Sequence, residues 1–171
     1  KHWEIINLAY FSEAESKEYS RLISPKKTSN TQQLIASLGG DPFLVGLATE
    51  EFEKISSKEP IDLLNEIFKY TIDEAIRKAR EASNELATVK DFNDAIDLLI
   101  ELMLAAETPE PVWESIKVHL GTEKAKLIFA LAQVNRLGWI DIFNGKEIWR
   151  WKHTRLRDVI IGRWLAKNVL L

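Results

Sequence analysis

The sequence predicts a mainly α-helical protein that carries one β-hairpin near its C-terminal end. Apolar residues recur at helical spacing in several segments of the 171-residue chain. Glycine and proline residues separate these segments by short joints. Asn144-Gly145 lies between two short alternating runs, which is the strongest local signal for a two-residue type I′ hairpin turn. Together these observations predict a four-helix bundle followed by a second domain of helices and a hairpin.

The composition gives no sign of a disulfide-linked, thiolate-metal or membrane-spanning protein. Hydrophobic residues make up 46% of the chain, enough for real cores, and without cysteine neither disulfides nor thiolate metal sites are possible. The net charge of −3 gives no overall attraction to nucleic acid or anionic lipid. Residues 109–171 carry 11 Lys/Arg and 6 Asp/Glu, so this region is locally basic. No apolar run reaches membrane-spanning length, and we expect a cytoplasmic protein without a membrane contact.

The first half is predicted to be a strand followed by four helices. Trp3–Phe11 is rich in β-branched and aromatic residues, which is typical of a strand. The Ser12/Glu15 spacing matches a capping box, and Asp41-Pro42 is typical of a helix start. The helices are expected near residues 13–23, 30–38, 42–55 and 60–83. We place the domain boundary within Ala82–Lys90, which gives domains 1–87 and 88–171. We also expect the chain to be part of a longer protein.

The second half is predicted to be three helices, a hairpin and a closing helix. The helices are expected over residues 91–106, 109–120, 122–137 and 154–170. The hairpin turn would pair Phe143 with Lys146, Ile140 with Trp149 and Trp139 with Arg150. Four apolar side chains would then share the core face: Ile140, Ile142, Trp149 and Trp151. Trp139 is expected to lie under Arg150 as a cation–π contact, and the order of elements predicts a winged-helix domain.

His153 is the candidate binding residue of this second domain. It continues the strand face of Trp149 and Trp151 and lies where the strand meets the closing helix, so its side chain is expected to face inward. An imidazole can donate to a phosphate oxygen, whose charge favours the protonated form. The alternative is a purely structural histidine. Arg157, one helical turn later, is expected either to support the same anion or to pair with Asp158.

The sequence lacks common catalytic and metal-binding motifs, and two other possible binding sites remain. The sequence has no GxxxxGK[ST] loop, no GxSxG elbow and no paired metal ligands, so we do not expect this chain alone to catalyse a reaction. Gly40, Asp41 and Pro42 form either simple helix punctuation or a turn whose proline ring packs on a purine base. DNA binding is a further hypothesis, which ranks below a nucleotide or protein contact. It depends on basic residues of the third helix and the hairpin: Lys124, Lys126, Arg136, Lys146 and Arg150.

Four stretches resemble a STAND-class P-loop NTPase of the NB-ARC/NACHT type, in the family's order and over nearly the whole chain. They are IINLAYFSEAES (Ile5–Ser16), SLGGDPFLVGLA (Ser37–Ala48), LAQVNRLGWIDIF (Leu131–Phe143) and WRWKHTRLRDVI (Trp149–Ile160). The resemblance implies the end of a nucleotide-binding domain, a helical lid with a GxP motif, and a winged-helix domain that closes on a histidine motif. By this resemblance Pro42 contacts the adenine and His153 the β-phosphate of ADP. Thr154 stands where the family has an aspartate.

The resemblance also implies a function and partners. ADP or ATP would be held with Mg²⁺ by a P-loop domain outside this chain, and the lid and winged helix would control opening and homo-oligomerisation in signalling or defence. An alternative is a DNA-binding winged helix attached to an AAA+ lid, similar to origin-recognition ATPases. A third interpretation is a helical scaffold that only mediates partner contacts.

Overall fold

The computed structural model describes residues 12, 14, 15, 18, 41, 42, 60–83 and 87–169, and the structural findings below refer to these residues. The chain divides into two compact units, Lys1–Lys69 and Tyr70–Leu171. The predicted boundary between residues 87 and 88 stays a prediction. The predicted strand at Trp3–Phe11 and the helix near 30–38 lie outside the described residues.

Two of the predicted helix starts in the first unit are confirmed. The Ser12 backbone N–H donates to Glu15 Oε2 at 2.8 Å, and the Glu15 N–H donates to Ser12 Oγ at 3.3 Å, which makes a reciprocal capping box. The Ser12 hydroxyl also donates to Glu15 Oε2, at 2.7 Å. This bond, followed by the one from the Ser12 N–H, holds the pKa of the Glu15 carboxyl below its usual value. Pro42 is helical and follows a buried, non-helical Asp41, as the Asp-Pro signal predicts.

Helix α1 (Pro60–Ser83) has the predicted bounds. Its buried side chains recur every three or four residues, which defines a single apolar stripe. The stripe consists of Ile67, Phe68, Thr71, Ile72, Ala75, Ile76 and Ala79. On the exposed side, Arg77 pairs with Glu74 and Glu81, and these bonds raise the pKa of the guanidinium further.

Helix α2 (Val89–Ala105) begins two residues earlier than predicted. Thr88 is its N-cap: the Asp91 N–H donates to Thr88 Oγ1 at 3.2 Å, and the Thr88 N–H donates to Asp91 Oδ2 at 2.7 Å. The sequence prediction started the helix at Asp91, which is in fact the third helical residue and the acidic half of the capping box.

Helix α3 (Trp113–Val134) consists of two helical segments that meet at Gly121, where φ is 74° and ψ is 165°. The predicted start at Pro109 was wrong because Pro111 and Val112, just before Trp113, pair with the hairpin. Val112 forms a β-bridge with Ile148, and the Trp149 N–H donates to the Pro111 carbonyl at 3.0 Å. The predicted end at Leu137 was also wrong, because Asn135 adopts the left-handed conformation that ends the helix.

Strands β1 (Gly138–Phe143) and β2 (Lys146–Trp151) form the hairpin in the predicted register. Asn144 and Gly145 have φ values of 50° and 73°, as a type I′ turn requires. Trp149 is only 1% exposed, which confirms its place in the core. Ile142 is 74% exposed, so its predicted core position was wrong. It lies next to the turn, opposite Glu147, at the exposed end of the hairpin.

Helix α4 (Thr154–Asn168) closes the second unit. Leu156 and Ile160 are its buried side chains, and Lys167 Nζ lies 2.6 Å from Asp97 Oδ2 of α2. Helices α2 and α3, the base of the hairpin and α4 thus share one core in residues 88–169. This architecture confirms the mainly helical class with one hairpin.

Candidate functional site

His153 lies at the junction between β2 and α4, where the sequence predicts it. It is the N-cap of α4, with an extended backbone (φ −153°, ψ 142°) and a half-buried side chain. Its Nδ1 accepts a hydrogen bond from the Arg155 N–H at 3.2 Å. The first helical bond follows, from the Arg157 N–H to the His153 carbonyl at 3.2 Å. The capping side chain is thus the imidazole of His153, and Thr154 is the first residue of the helix.

The cap bond defines which nitrogen of His153 carries the proton. A backbone N–H is a donor, so Nδ1 must be the unprotonated acceptor and the proton of the neutral ring is on Nε2. A protonated imidazole would have no acceptor for Arg155. In this tautomer Nε2–H is the donor of the ring.

Arg157 is engaged by a neighbouring carboxylate. Its Nε and Nη2 lie 2.8 and 2.7 Å from Asp158 Oδ1. The side chain borders a cleft of about 440 Å³ between the end of α2 and α4, whose other described lining residues are Met103, Leu104, Glu107, Thr108, Pro109, Asp158 and Ile161. Two carboxylates in this lining make it unfavourable for an anion. Of the two expectations for Arg157, the structure shows the pair with Asp158.

The GxP residues lie in the first unit. Pro42 is half-buried at a helix start beside the buried Asp41, and Gly40 lies outside the described residues. His153 belongs to the second unit. That Pro42 and His153 meet on one nucleotide therefore stays a prediction.

The basic residues considered for DNA are spread over two elements, and several are paired with acids. Lys126 Nζ lies 2.9 Å from Glu123 Oε1, while Lys124 and Arg136 are partly exposed on α3 and just after it. Lys146 is exposed beside the hairpin turn. Clear phosphate-binding cations would be unpaired and grouped on one face.

Arg150 is a structural residue of the hairpin. Its Nε lies 2.8 Å from Asp141 Oδ2, and its Nη1 lies 2.6 Å from Glu110 Oε1 in the segment before α3. Its guanidinium lies over Phe143, 5.6 Å from the ring centroid. The predicted cation–π contact with Trp139 was wrong, because the guanidinium is held by Asp141 and Glu110 and lies over Phe143 instead.

The exposed face of α3 carries an apolar groove that sequence reasoning missed. The rings of Trp113 and Phe129 are 6.0 Å apart at 44°, and Phe129 is 45% exposed. The groove has a volume of about 330 Å³ and is lined by Trp113, Lys117, Thr122, Ala125, Lys126, Phe129, Ala130 and Gln133. Trp113 and Phe129 belong to different segments of α3, and the bend at Gly121 separates those segments. An exposed aromatic ring in this groove suits a protein contact better than a DNA groove.

Within residues 60–83, 87–169 and the few described before them, no group of three or more His, Asp or Glu side chains is placed to hold a metal ion. In the same part of the chain, no helix combines the length and apolar character needed to cross a bilayer. No protein-family model, curated protein or solved structure shows a significant match to this chain.

Proposed function

We propose that this chain is the lid and winged-helix part of a STAND-class ATPase. In this proposal a P-loop domain outside the chain binds ADP or ATP, and the chain senses which nucleotide is bound. The nucleotide then controls opening and oligomerisation of the parent protein for signalling or defence. The observation that carries the proposal is His153, which lies between β2 and α4 and caps α4 with its own imidazole.

The order of elements in residues 88–169 supports a winged-helix assignment. Helix α2 is followed by the two segments of α3, the hairpin and α4. The bridge between Val112 and Ile148 adds a short third partner at the free edge of β2. A winged-helix domain is expected to have three helical segments and a small sheet. Here the sheet is formed by the hairpin and by Val112, directly before α3.

The proposed mechanism uses both nitrogens of His153. Nδ1 caps α4, and Nε2–H donates to the β-phosphate of ADP, so the nucleotide holds the junction of β2 and α4. A hydrogen bond to a charged group contributes about 1.5–3 kcal/mol, which shifts a two-state balance roughly ten- to hundredfold. Pro42 would hold the lid by packing its ring on the adenine. Loss of either contact then favours the open, oligomer-forming state.

Two substitutions at His153 separate the binding role from the capping role. Asparagine is a strong N-cap but lacks a donor at the position of Nε2, whereas alanine removes both functions. In the parent protein, His153→Asn is expected to weaken ADP retention roughly tenfold or more while the domain keeps its stability. His153→Ala should lose retention and stability together. Unchanged ADP retention in both variants would overturn the proposal.

DNA binding by the winged helix is the second candidate, and the basic residues around the second segment of α3 favour it. The paired Lys126 and Arg150 and the exposed Phe129 give it less support. Its test is salt-dependent binding of duplex DNA by this chain, compared with a Lys124→Ala/Lys126→Ala/Arg136→Ala variant. Absence of binding at low salt would dismiss it. The scaffold interpretation predicts a parent protein without a P-loop.

A further inference from the structure

A concavity that we call the polar notch lies between the C-terminal end of α3 and the base of the hairpin. It has a volume of about 350 Å³, and the described residues that line it are Ala132, Gln133, Asn135, Trp139 and Lys152. His153 is not among them. The notch is therefore separate from the site proposed for the β-phosphate.

Backbone geometry brings these side chains together. Asn135 has φ 49° and ψ 39°, and this left-handed residue turns the chain from α3 toward β1. The Lys152 N–H donates to the Leu137 carbonyl at 2.8 Å, which holds the end of the hairpin against the same turn. Trp139 is paired across the strands with Arg150, two residues before Lys152, so the side chains of Trp139 and Lys152 fall on one face.

The notch is positive and has unused hydrogen-bonding groups. None of its described lining residues is acidic. In the described part of the chain, the side chains of Gln133, Asn135 and Lys152 form no hydrogen bond or ion pair, whereas nearby Arg150 is neutralised by two carboxylates. The half-buried indole of Trp139 adds an aromatic surface. One ammonium, two carboxamides and an indole thus share a single concavity.

This combination matches the chemistry of a nucleotide. Bases stack on aromatic side chains, carboxamides donate to and accept from base edges, and a lysine neutralises phosphate. We infer that the polar notch binds a nucleotide, with its base against Trp139, its base edge at Gln133 and Asn135, and its phosphate at Lys152. The ligand is either a free mononucleotide or one nucleotide of a single strand, since both present the same groups.

The test is a titration of the 171-residue chain by ¹⁵N–¹H NMR with AMP, with a ten-residue oligo-deoxyadenylate and, as comparisons, with inorganic phosphate and a duplex of equal length. Amide shifts confined to residues 132–139 and 152 are expected with AMP and with the single strand. Saturation by AMP at the same affinity indicates the free nucleotide, and much tighter binding of the strand indicates nucleic acid. Equal affinity for phosphate and AMP, or shifts only with the duplex, would overturn the inference.

Matched variants identify the binding groups. Trp139→Ala should weaken AMP binding roughly five- to hundredfold, and Trp139→Phe should recover part of the loss because it keeps a ring. Lys152→Gln should weaken binding and flatten its salt dependence. Asn135→Gly keeps the left-handed backbone while removing the carboxamide, and Asn144→Gly is its control at the hairpin turn. Unchanged affinity in Trp139→Ala, or equal losses in the two asparagine variants, would contradict the assignment.

Discussion

Replacing Gly138 with alanine should destabilise the second unit strongly, although its backbone needs no glycine. A Cβ on Gly138 would lie 2.5 Å from Cζ2 and 2.8 Å from Cε2 of Trp149, and it would also clash with the Arg150 carbonyl. Trp149 is buried in the core and the carbonyl belongs to β2, so neither can move aside cheaply. Overpacking of this kind costs about 1–3 kcal/mol. Gly138 therefore determines how closely β1 approaches Trp149.

The assay is urea denaturation of the 171-residue chain followed by tryptophan fluorescence. With a slope of about 2 kcal/mol per molar urea, the midpoint of the Gly138→Ala variant should fall by roughly 0.5–1.5 M. Gly162→Ala is the matched control, because a Cβ there meets no atom within 4 Å and the residue lies inside α4. That variant should gain about 0.5–1 kcal/mol. A Gly138→Ala protein as stable as the wild type would refute the packing described for the hairpin.

Three further predictions concern the same unit. Hydrogen bonds from Thr88, first from its backbone N–H and then from its hydroxyl, hold the pKa of Asp91 below its usual value. The stabilisation from these bonds is therefore present above the usual pKa of an aspartate, and it is lost as the pH falls through the lowered pKa. Thr88→Ala should reduce this acid dependence, as measured by circular dichroism between pH 5 and pH 2. The pKa of Lys167 is raised by its bond to a carboxylate of α2, so this link should weaken only at strongly alkaline pH, and Lys167→Met should abolish that dependence in alkaline denaturation curves. Ile142→Ser should change the unfolding free energy by less than about 0.5 kcal/mol, whereas Ile148→Ala should cost about 2–5 kcal/mol, and equal effects in urea titrations would contradict the hairpin orientation.

Asparagine, glycine and proline residues at turns and helix ends were the most predictive part of the sequence. Asn144-Gly145 defined the turn, and with it every pair of the hairpin register, because a two-residue type I′ turn leaves no other alignment. Pro60 likewise marked the first residue of α1. The same reasoning was wrong where it continued α3 to Leu137, directly before Gly138. Asn135 occupies the left-handed position instead, and Gly138 is required by the close approach of Trp149.

Features that depend on distant residues could not be predicted. Alternation places Ile142 on the same face as Trp149, but it cannot show where the hairpin extends beyond the helices that cover it. One partner of Arg150 is Glu110, which lies 40 residues away in the sequence. For His153, the sequence predicts its place at the junction of β2 and α4. Its capping bond through Nδ1 required the local backbone geometry.

The proposed switch depends most directly on one distance in the ADP-bound parent protein, that between His153 Nε2 and the nearest β-phosphate oxygen. The proposal predicts a hydrogen bond of about 2.7–3.2 Å, with Nδ1 still accepting from Arg155. A crystal structure of that complex measures both contacts. A bound ADP whose phosphates lie beyond hydrogen-bonding reach of His153 would contradict the proposal.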